Sequence, residues 1–191
     1  MYKPVVLVVL DGWGLSATTQ GNPIREAHLP TFEKLNRFYP MTALQASGIA
    51  VGLPWNTQGN SEVGHMTMGA GRVIYQNMPR ITLAVQDGSF FKNQAFLKAM
   101  DNVRTNNSTL HIMGLVGEGS VHSHKDHLYM LLRMAKEQGL EQVYVHVFTD
   151  GRDSPPTAGI QSIRDVETHM RTLKIGKIAS ICGRHYGMDR H

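Results

Sequence analysis

The sequence has one cysteine and no long apolar run. Cys182 stands alone among 191 residues, so no internal disulfide can form, and a reducing, cytoplasmic setting is expected. The longest apolar run, residues 5–10, has the length of a strand and is too short to span a membrane. Only Lys3 precedes it as a basic residue, which argues against a signal peptide. We therefore expect no membrane association.

An excess of one charge is also lacking. The chain has 19 Lys and Arg against 15 Asp and Glu, and the resulting net charge of +4 is scattered along the sequence. Without a basic run or interleaved aromatic residues, nucleic-acid binding is not expected. A mild positive balance suits a protein that handles small anions, and it equally suits one without an anionic ligand.

The second half of the chain has the pattern of an α/β fold. Three segments rich in Val, Ile and Leu alternate with two amphipathic segments that end at Gly139 and Gly176; the three are TLHIMGLV, EQVYVHVFTD and KIASICGR. This β-α-β-α-β order predicts parallel sheets with right-handed crossover helices.

The first half gives a more mixed pattern. The valine-rich run at residues 5–10 predicts a strand buried on both faces, and residues 42–48 predict another strand. Helical spacing and turn residues predict helices in residues 30–40, from about Ser61, and in residues 93–104 with Asn93 as the cap.

Polar residues follow each strand predicted in the second half. Ligands bind beyond the carboxyl ends of parallel strands, so these positions are the candidate site. They are His122 after the first strand, Arg152 and Asp153 after the second, and Arg184 and Arg190 after the third. Arginines here favour a planar anion, carboxylate or phosphate, although a single arginine is also compatible with an ordinary surface position.

Some of these residues have two interpretations. Asp153 precedes Ser-Pro-Pro, so it either caps the next helix or acts as a general acid or base near a substrate hydroxyl. His122 and His124 form a His-x-His pair, which is weak evidence for a metal without more oxygen or nitrogen ligands nearby. His124 and His127 share the helix predicted to follow. One of these two histidines is better interpreted as a packing or capping residue.

Asp11 and Ser61 are the candidates in the first half. A carboxylate at the end of a buried strand is costly unless it is solvated, paired or bound to metal; an ordinary Asp-Gly turn is the alternative for Asp11. Ser61 lies in the glycine-rich segment QGNSEVGHMTMGAGR, which is not a Gly-x-Ser-x-Gly elbow. Ser61 has two interpretations: a hydroxyl that a metal activates to attack phosphorus, or a serine that caps the helix. Spacing alone favours the capping serine.

Five segments together resemble the cofactor-independent (2,3-bisphosphoglycerate-independent) phosphoglycerate mutases. They are VVLDGWG, GNSEVGHMTMGAGRVIYQ, HIMGLVGEGSVHSHKDH, VYVHVFTDGRDSPP and GKIASICGRHYGMDR, and they occur in order across nearly the whole chain. The resemblance implies an isomerase of glycolysis and gluconeogenesis that interconverts 3-phosphoglycerate and 2-phosphoglycerate through a phosphoserine. It further implies two divalent metal ions, usually manganese, and a monomeric full-length form.

The resemblance also assigns domains and roles. Residues 1–75 would begin an alkaline-phosphatase-like domain, and residues 76–191 would form part of an inserted α/β phosphotransferase domain, both incomplete. Ser61 matches the phosphorylated serine and a metal ligand, and Asp11 matches a ligand of the same metal. The matched substrate-binding positions are His122, Arg152, Asp153, Arg184 and Arg190, with Asp153 also the candidate acid or base.

Length is the main departure from the family, whose chains are more than twice as long. The resemblance places most metal ligands outside this sequence, so we expect an amino-terminal fragment that is poorly soluble and inactive as a mutase. We also expect residues 5–10 to lack strand partners. One alternative is a non-catalytic phosphoglycerate-binding fragment. The other is a related metal-dependent phosphatase or phosphopentomutase, and the VHSH and DGRDSPP loops argue against this second alternative.

Overall fold

The computed structural model describes residues 3–119 and 121–189. The chain divides into two compact units, residues 1–74 and residues 75–191. Within the described residues, no helix has both the length and the apolar character needed to cross a membrane.

The first unit consists of short helices and turns. Prolines occupy the first positions of two of them, where the missing N–H costs no hydrogen bond. Its helices are α1 (Pro23–Glu26), α2 (Pro30–Phe38), a 3₁₀ turn (Gly48–Val51) and α3 (Ser61–Ala70). The predicted helices at residues 30–40 and from Ser61 are thus confirmed, and Pro40 follows shortly after the end of α2.

The two strands predicted in the first unit are wrong. Residues 5–10 and 42–48 form no strand, and exposure in the first run ranges from 42% at Val9 to 96% at Val5. A strand that is apolar on both faces needs neighbouring strands and covering layers, and the described residues of this unit supply neither. The expectation that residues 5–10 lack strand partners is confirmed for the described part of the chain.

The second unit contains the predicted parallel sheet. Its strands are β1 (Leu110–Val116), β2 (Val143–Thr149) and β3 (Lys177–Gly183), in the order β1-β2-β3. Helices α6 (Lys125–Glu137) and α7 (Gly159–Leu173) make the two crossovers. Val116 pairs with Thr149, and Thr149 pairs with Gly183, so the carboxyl ends of all three strands meet at one edge. The α/β class is therefore confirmed.

One face of this sheet carries the core. Val143, Val145 and Val147 of β2 are buried, while the alternate residues of the strand are only half-buried. Leu132 of α6 and Val166 of α7 are fully buried in the same cluster, which also includes Met100 and Val103 from the helix before the sheet. Burial of this apolar area is the main stabilising contribution to the unit.

Two helices precede the sheet, α4 (Asn77–Gln86) and α5 (Gln94–Thr105), with a 3₁₀ turn (Ser89–Lys92) between them. The prediction of α5 is confirmed, because the Asn93 side chain accepts hydrogen bonds from the N–H groups of Ala95 and Phe96. The sequence analysis assigned no element to the residues of α4. Pro79 lies in the first turn, where proline is tolerated.

Candidate functional site

A cavity of about 770 Å³ opens at the carboxyl edge of the sheet. Its walls come from the loops that follow the three strands, as expected for a parallel sheet. The structure brings four of the predicted site residues together in its lining: His122, Arg152, Asp153 and Arg184. Arg190 was predicted with them and lies outside the described residues.

The loop after β2 is built around Asp150. Its Oδ1 atom accepts hydrogen bonds from the backbone N–H groups of Gly151 at 2.7 Å, Arg152 at 3.0 Å and Asp153 at 3.1 Å. The same oxygen accepts a hydrogen bond from Nη1 of Arg184 at 3.0 Å. Burial acts to raise the pKa of the Asp150 carboxyl, but these hydrogen bonds outweigh it and hold the pKa well below its usual range.

Arg184 begins α8 (Arg184–Gly187), directly after β3. Its Nη1 donates to Oδ2 of Asp153 at 2.6 Å as well as to Asp150. Hydrogen bonds to Asp153 and then Asp150 raise the pKa of Arg184 above its already high value, so the guanidinium is a permanent cation. Its hydrogen bonds to other described residues use Nη1, so N–H groups on Nη2 and Nε can still bind an anion.

Asp153 lies between two basic groups. Nε2 of His122 is 3.9 Å from Asp153 Oδ2, the oxygen that also accepts from Arg184. The interpretation of Asp153 as a helix cap is wrong, because α7 begins at Gly159 with Ala158 at its cap position. The carboxylate is instead held by a guanidinium and faces the cavity that Arg152 also lines.

The loop after β1 packs closely on the loop after β2. Ser154 is buried, and its Oγ accepts hydrogen bonds from the N–H groups of Glu118 and Gly119, each at 3.1 Å. A Cβ atom at Gly117 would lie 2.6 Å from Ser154 Oγ, and one at Gly119 would lie 2.8 Å from the Asp153 backbone oxygen. Glycine is therefore required for the two loops to approach this closely.

The two histidines near this loop, His124 and His127, have different contacts. His124 is the N-cap of α6, and its Nδ1 accepts the Asp126 N–H at 3.3 Å. His127 Nε2 lies 3.2 Å from Thr82 Oγ1, and burial followed by the nearby His124 lowers the pKa of His127. His124 is thus a capping residue, which confirms that interpretation.

In the first unit, Ser61 and Asp11 are in direct contact. Ser61 Oγ donates a hydrogen bond to Asp11 Oδ2 at 2.6 Å across 50 positions of sequence. Ser61 is the first residue of α3, and the cap is Asn60, whose side chain accepts the Val63 N–H at 3.0 Å. The capping interpretation of Ser61, which spacing alone favoured, is therefore wrong, and the hydroxyl is held by the carboxylate instead.

His65 is a neighbour of Ser61 that the sequence analysis did not assign. Its Nδ1 lies 2.8 Å from the Ser61 carbonyl oxygen and 3.1 Å from Ser61 Oγ. A carbonyl only accepts hydrogen bonds, so Nδ1 carries the proton and cannot act as a base toward the Ser61 hydroxyl. The spacing of four residues on a helix is the signal that could have indicated this contact.

Asp11 and Ser61 offer the oxygen ligands that manganese and magnesium prefer. Their chemistry fits a divalent ion, but their number is too small for a complete centre. Among residues 3–119 and 121–189, no group of three or more His, Cys, Asp or Glu side chains could hold a metal. The pair therefore fits as two ligands of a larger metal site.

Comparisons with family models, known sequences and solved structures agree on one family. The model of the BPG-independent PGAM N-terminus (iPGM_N) matches residues 81–191. The 2,3-bisphosphoglycerate-independent phosphoglycerate mutases of Clostridium perfringens and Lachnoclostridium phytofermentans are 52% and 53% identical to the chain over 188 residues, or 98% of it.

The chain spans only 37% of the length of these two relatives. A crystal structure of Leishmania mexicana phosphoglycerate mutase at low cobalt concentration matches with a TM-score of 0.65 and 31% identity. That match covers 95% of this chain and 34% of the Leishmania chain.

Proposed function

The chain belongs to the BPG-independent phosphoglycerate mutases, and we propose that it supplies the phosphate-accepting serine and part of the substrate site of such an enzyme. The reaction would be the interconversion of 3-phosphoglycerate and 2-phosphoglycerate, an isomerisation of glycolysis and gluconeogenesis. The observation that carries this proposal is the convergence of His122, Arg152 and Arg184 around Asp153 at one edge of the sheet.

The substrate would bind through its anionic groups. Among the described residues, the hydrogen bonds of Arg184 use Nη1, so its Nη2 and Nε can donate to a ligand. Arg152 lines the same cavity, so two guanidiniums can hold a carboxylate or a phosphate. His122 adds a third donor beside them. Arg190 would also bind the anionic groups of the substrate; this assignment rests on the family resemblance alone.

Asp153 is placed to exchange protons with the glycerate hydroxyls. Its Oδ2 is held by Arg184, which leaves Oδ1 for a substrate hydroxyl. One hydroxyl must gain a proton as its phosphoryl group leaves, and the other must lose one as it takes the phosphoryl group back. In its protonated form Asp153 would give a proton to the departing hydroxyl, and the carboxylate so formed would then take the proton of the other hydroxyl.

Ser61 would take the phosphoryl group in line. Its oxygen would bond to phosphorus as the O–P bond of the substrate breaks, and its proton would pass to its hydrogen-bond partner Asp11. The resulting phosphoserine would later return the phosphoryl group to the other hydroxyl of the same glycerate, and Ser61 would recover its proton. The 2.6 Å hydrogen bond to Asp11 orients the hydroxyl. A bound divalent ion, held in part by Asp11 and Ser61, would lower the pKa of the hydroxyl and stabilise the charge of the transferring group.

The remaining assignments follow from family membership. We assign residues 1–75 to an alkaline-phosphatase-like metal and phosphoserine domain, and residues 76–191 to the phosphotransferase domain. The complete enzyme would use two manganese ions, act in the cytoplasm and be monomeric. The phosphatase or phosphopentomutase alternative finds no support in residues 81–191, which match the mutase family model.

For the 191-residue chain itself we propose phosphoglycerate binding without turnover. Among the described residues no group of three or more His, Cys, Asp or Glu side chains could hold a metal, whereas the loops of the proposed substrate site lie on a sheet with its own core. Turnover would be absent even with manganese, in a coupled assay that detects 2-phosphoglycerate.

The test is a titration of ¹⁵N-labelled chain with 3-phosphoglycerate, followed by NMR. We expect saturable shifts at Arg152, Asp153 and Arg184, and we expect Arg184→Ala to abolish them. Arg133→Ala is the matched control, because Arg133 forms an exposed pair with Glu137 on α6. Absence of binding in the native chain, or equal loss in both variants, would refute the proposed site.

A further inference from the structure

Asp150 is the most highly hydrogen-bonded side chain at the candidate site, although neither its motif nor the family resemblance drew attention to it. We propose that Asp150 is a positioning residue, which fixes the backbone of Arg152 and Asp153 and orients the guanidinium of Arg184 for anion binding. This inference rests on the proposed function, since it concerns how the same site is held ready for phosphoglycerate.

Asp150 is poorly suited to bind the substrate itself. Its side chain is only 3% exposed, and Oδ1 already accepts four hydrogen bonds. The backbone of Gly117 covers it, because a Cβ atom at that glycine would lie 3.2 Å from Asp150 Cβ. A buried carboxylate would also repel an anionic ligand. Its effect on binding must therefore act through the residues that it holds.

The first group that Asp150 holds is the loop after β2. Three consecutive N–H groups, those of Gly151, Arg152 and Asp153, point at one carboxylate oxygen within 3.1 Å. Such a turn is fixed by the side chain that closes it. The backbone positions of Arg152 and Asp153 are therefore set by Asp150, although their side chains are not.

The second group is the guanidinium of Arg184, which follows the neighbouring strand. Its Nη1 atom is shared between Asp150 at 3.0 Å and Asp153 at 2.6 Å. An arginine with a single carboxylate neighbour tends to pair with it through two parallel hydrogen bonds. By competing for Nη1, Asp150 prevents that closed pair and leaves Nη2 and Nε available for a ligand.

Three variants of the chain separate these roles. Asp150→Asn keeps an oxygen that can accept from the loop but loses the charge that holds Arg184, whereas Asp150→Ala loses both. Asp101→Asn is the control, because Asp101 is 61% exposed and pairs with Arg104 on α5. The measurements are 3-phosphoglycerate affinity, amide hydrogen exchange at residues 151–153, and the NMR signals of the Arg184 guanidinium.

We expect Asp150→Asn to weaken binding by roughly 10- to 100-fold, the effect of losing one charge-assisted hydrogen bond. Its loop amides should stay protected while the Arg184 side-chain signals shift. Asp150→Ala should abolish measurable binding and speed amide exchange in the loop, and Asp101→Asn should behave as the native chain. If Asp150→Ala does not fold, the affinity of Asp150→Asn and the Arg184 guanidinium signals in that variant provide the test.

Native affinity in Asp150→Asn, or unchanged Arg184 signals, would overturn the inference. So would full protection of the loop amides in Asp150→Ala. If the native chain does not bind 3-phosphoglycerate, the proposed binding function fails, but the exchange rates and guanidinium signals still decide whether Asp150 positions these groups.

Discussion

The two units of the chain bury their apolar residues to very different degrees. In the first unit the buried cluster is Val51, Leu53 and Val63, and the run at residues 5–10 is exposed. In the second unit a cluster of thirteen buried residues joins the sheet to its helices. Since burial of apolar area is the dominant stabilising contribution, the second unit has the means to fold independently and the first does not.

In the proposed function, this difference places the binding residues and the candidate nucleophile in units of unequal packing. The loops with Arg152, Asp153 and Arg184 extend from a sheet whose core lies within its own unit. The candidate nucleophile Ser61 lies in the weakly packed unit, where its partner Asp11 directly follows the exposed run. We therefore expect ligand binding to be robust in this chain, and the geometry of Ser61 to depend on further contacts.

The largest effect is expected from dividing the chain. Residues 75–191 alone should unfold in one cooperative thermal transition and give well-dispersed NMR signals, because the three described strands and the buried cluster that packs on them lie within this unit. Residues 1–74 alone should show no cooperative transition by circular dichroism. A sharp transition in residues 1–74 would contradict the expectation that the first unit does not fold independently.

The next effect comes from truncating one leucine in each unit. Leu132→Ala in α6 should lower the free energy of unfolding by about 2–5 kcal/mol, since Leu132 is fully buried and its loss leaves a cavity. Leu7→Ala is the matched control and should leave the main transition unchanged, because Leu7 is 78% exposed. Urea denaturation of the two variants measures both values, and equal losses would show that the two units share one core.

A smaller, pH-dependent effect is expected from Asp150. Its folded-state pKa is held below the ordinary value of 3.8, so the unfolded chain binds this proton first as the pH falls. The stabilisation is therefore full above about pH 5 and is lost progressively at lower pH. Unfolding of the native chain and of Asp150→Asn, measured from neutral pH downward, should show a difference in stability that narrows in acid. A constant difference would exclude this charge as the cause.

The smallest effect compares two asparagine caps. Asn93→Ala should destabilise the second unit by about 1 kcal/mol, because the side chain accepts two N–H groups at the start of α5. Asn60→Ala removes the equivalent cap of α3 and should not move the main unfolding transition. Thermal unfolding of the two variants tests this; a matching shift in Asn60→Ala would place α3 in the same cooperative unit.

Prediction from sequence succeeded where the determining interactions are local. The order of strands and helices after Thr109, the cap at Asn93 and the start of α3 depend on side-chain period and on neighbours within a few residues. It failed for residues 5–10 and 42–48, because strand formation needs partners that the described residues lack. It also missed α4, which has Pro79 in its first turn.

The candidate site could be predicted only in part, because its contacts join residues that are distant in sequence. Strand ends indicated His122, Arg152, Asp153 and Arg184, and the parallel register explains why they line one cavity. Sequence spacing alone favoured Ser61 as a cap, although the neighbouring Asn60 has that role. Asp150 was overlooked, although an aspartate before Gly-Arg-Asp is a recognisable turn signal.

The sequence by itself determined the elements from α5 to β3, the order of the three strands and the family, since each of these is encoded in short segments. Only the tertiary structure decided which side chains meet. Asp11 contacts Ser61 across 50 positions, and Asp150 contacts Arg184 across 34. Sheet register brings Asp150 and Arg184 together, and the packing of the first unit brings Asp11 and Ser61 together; no local pattern of residues records either contact.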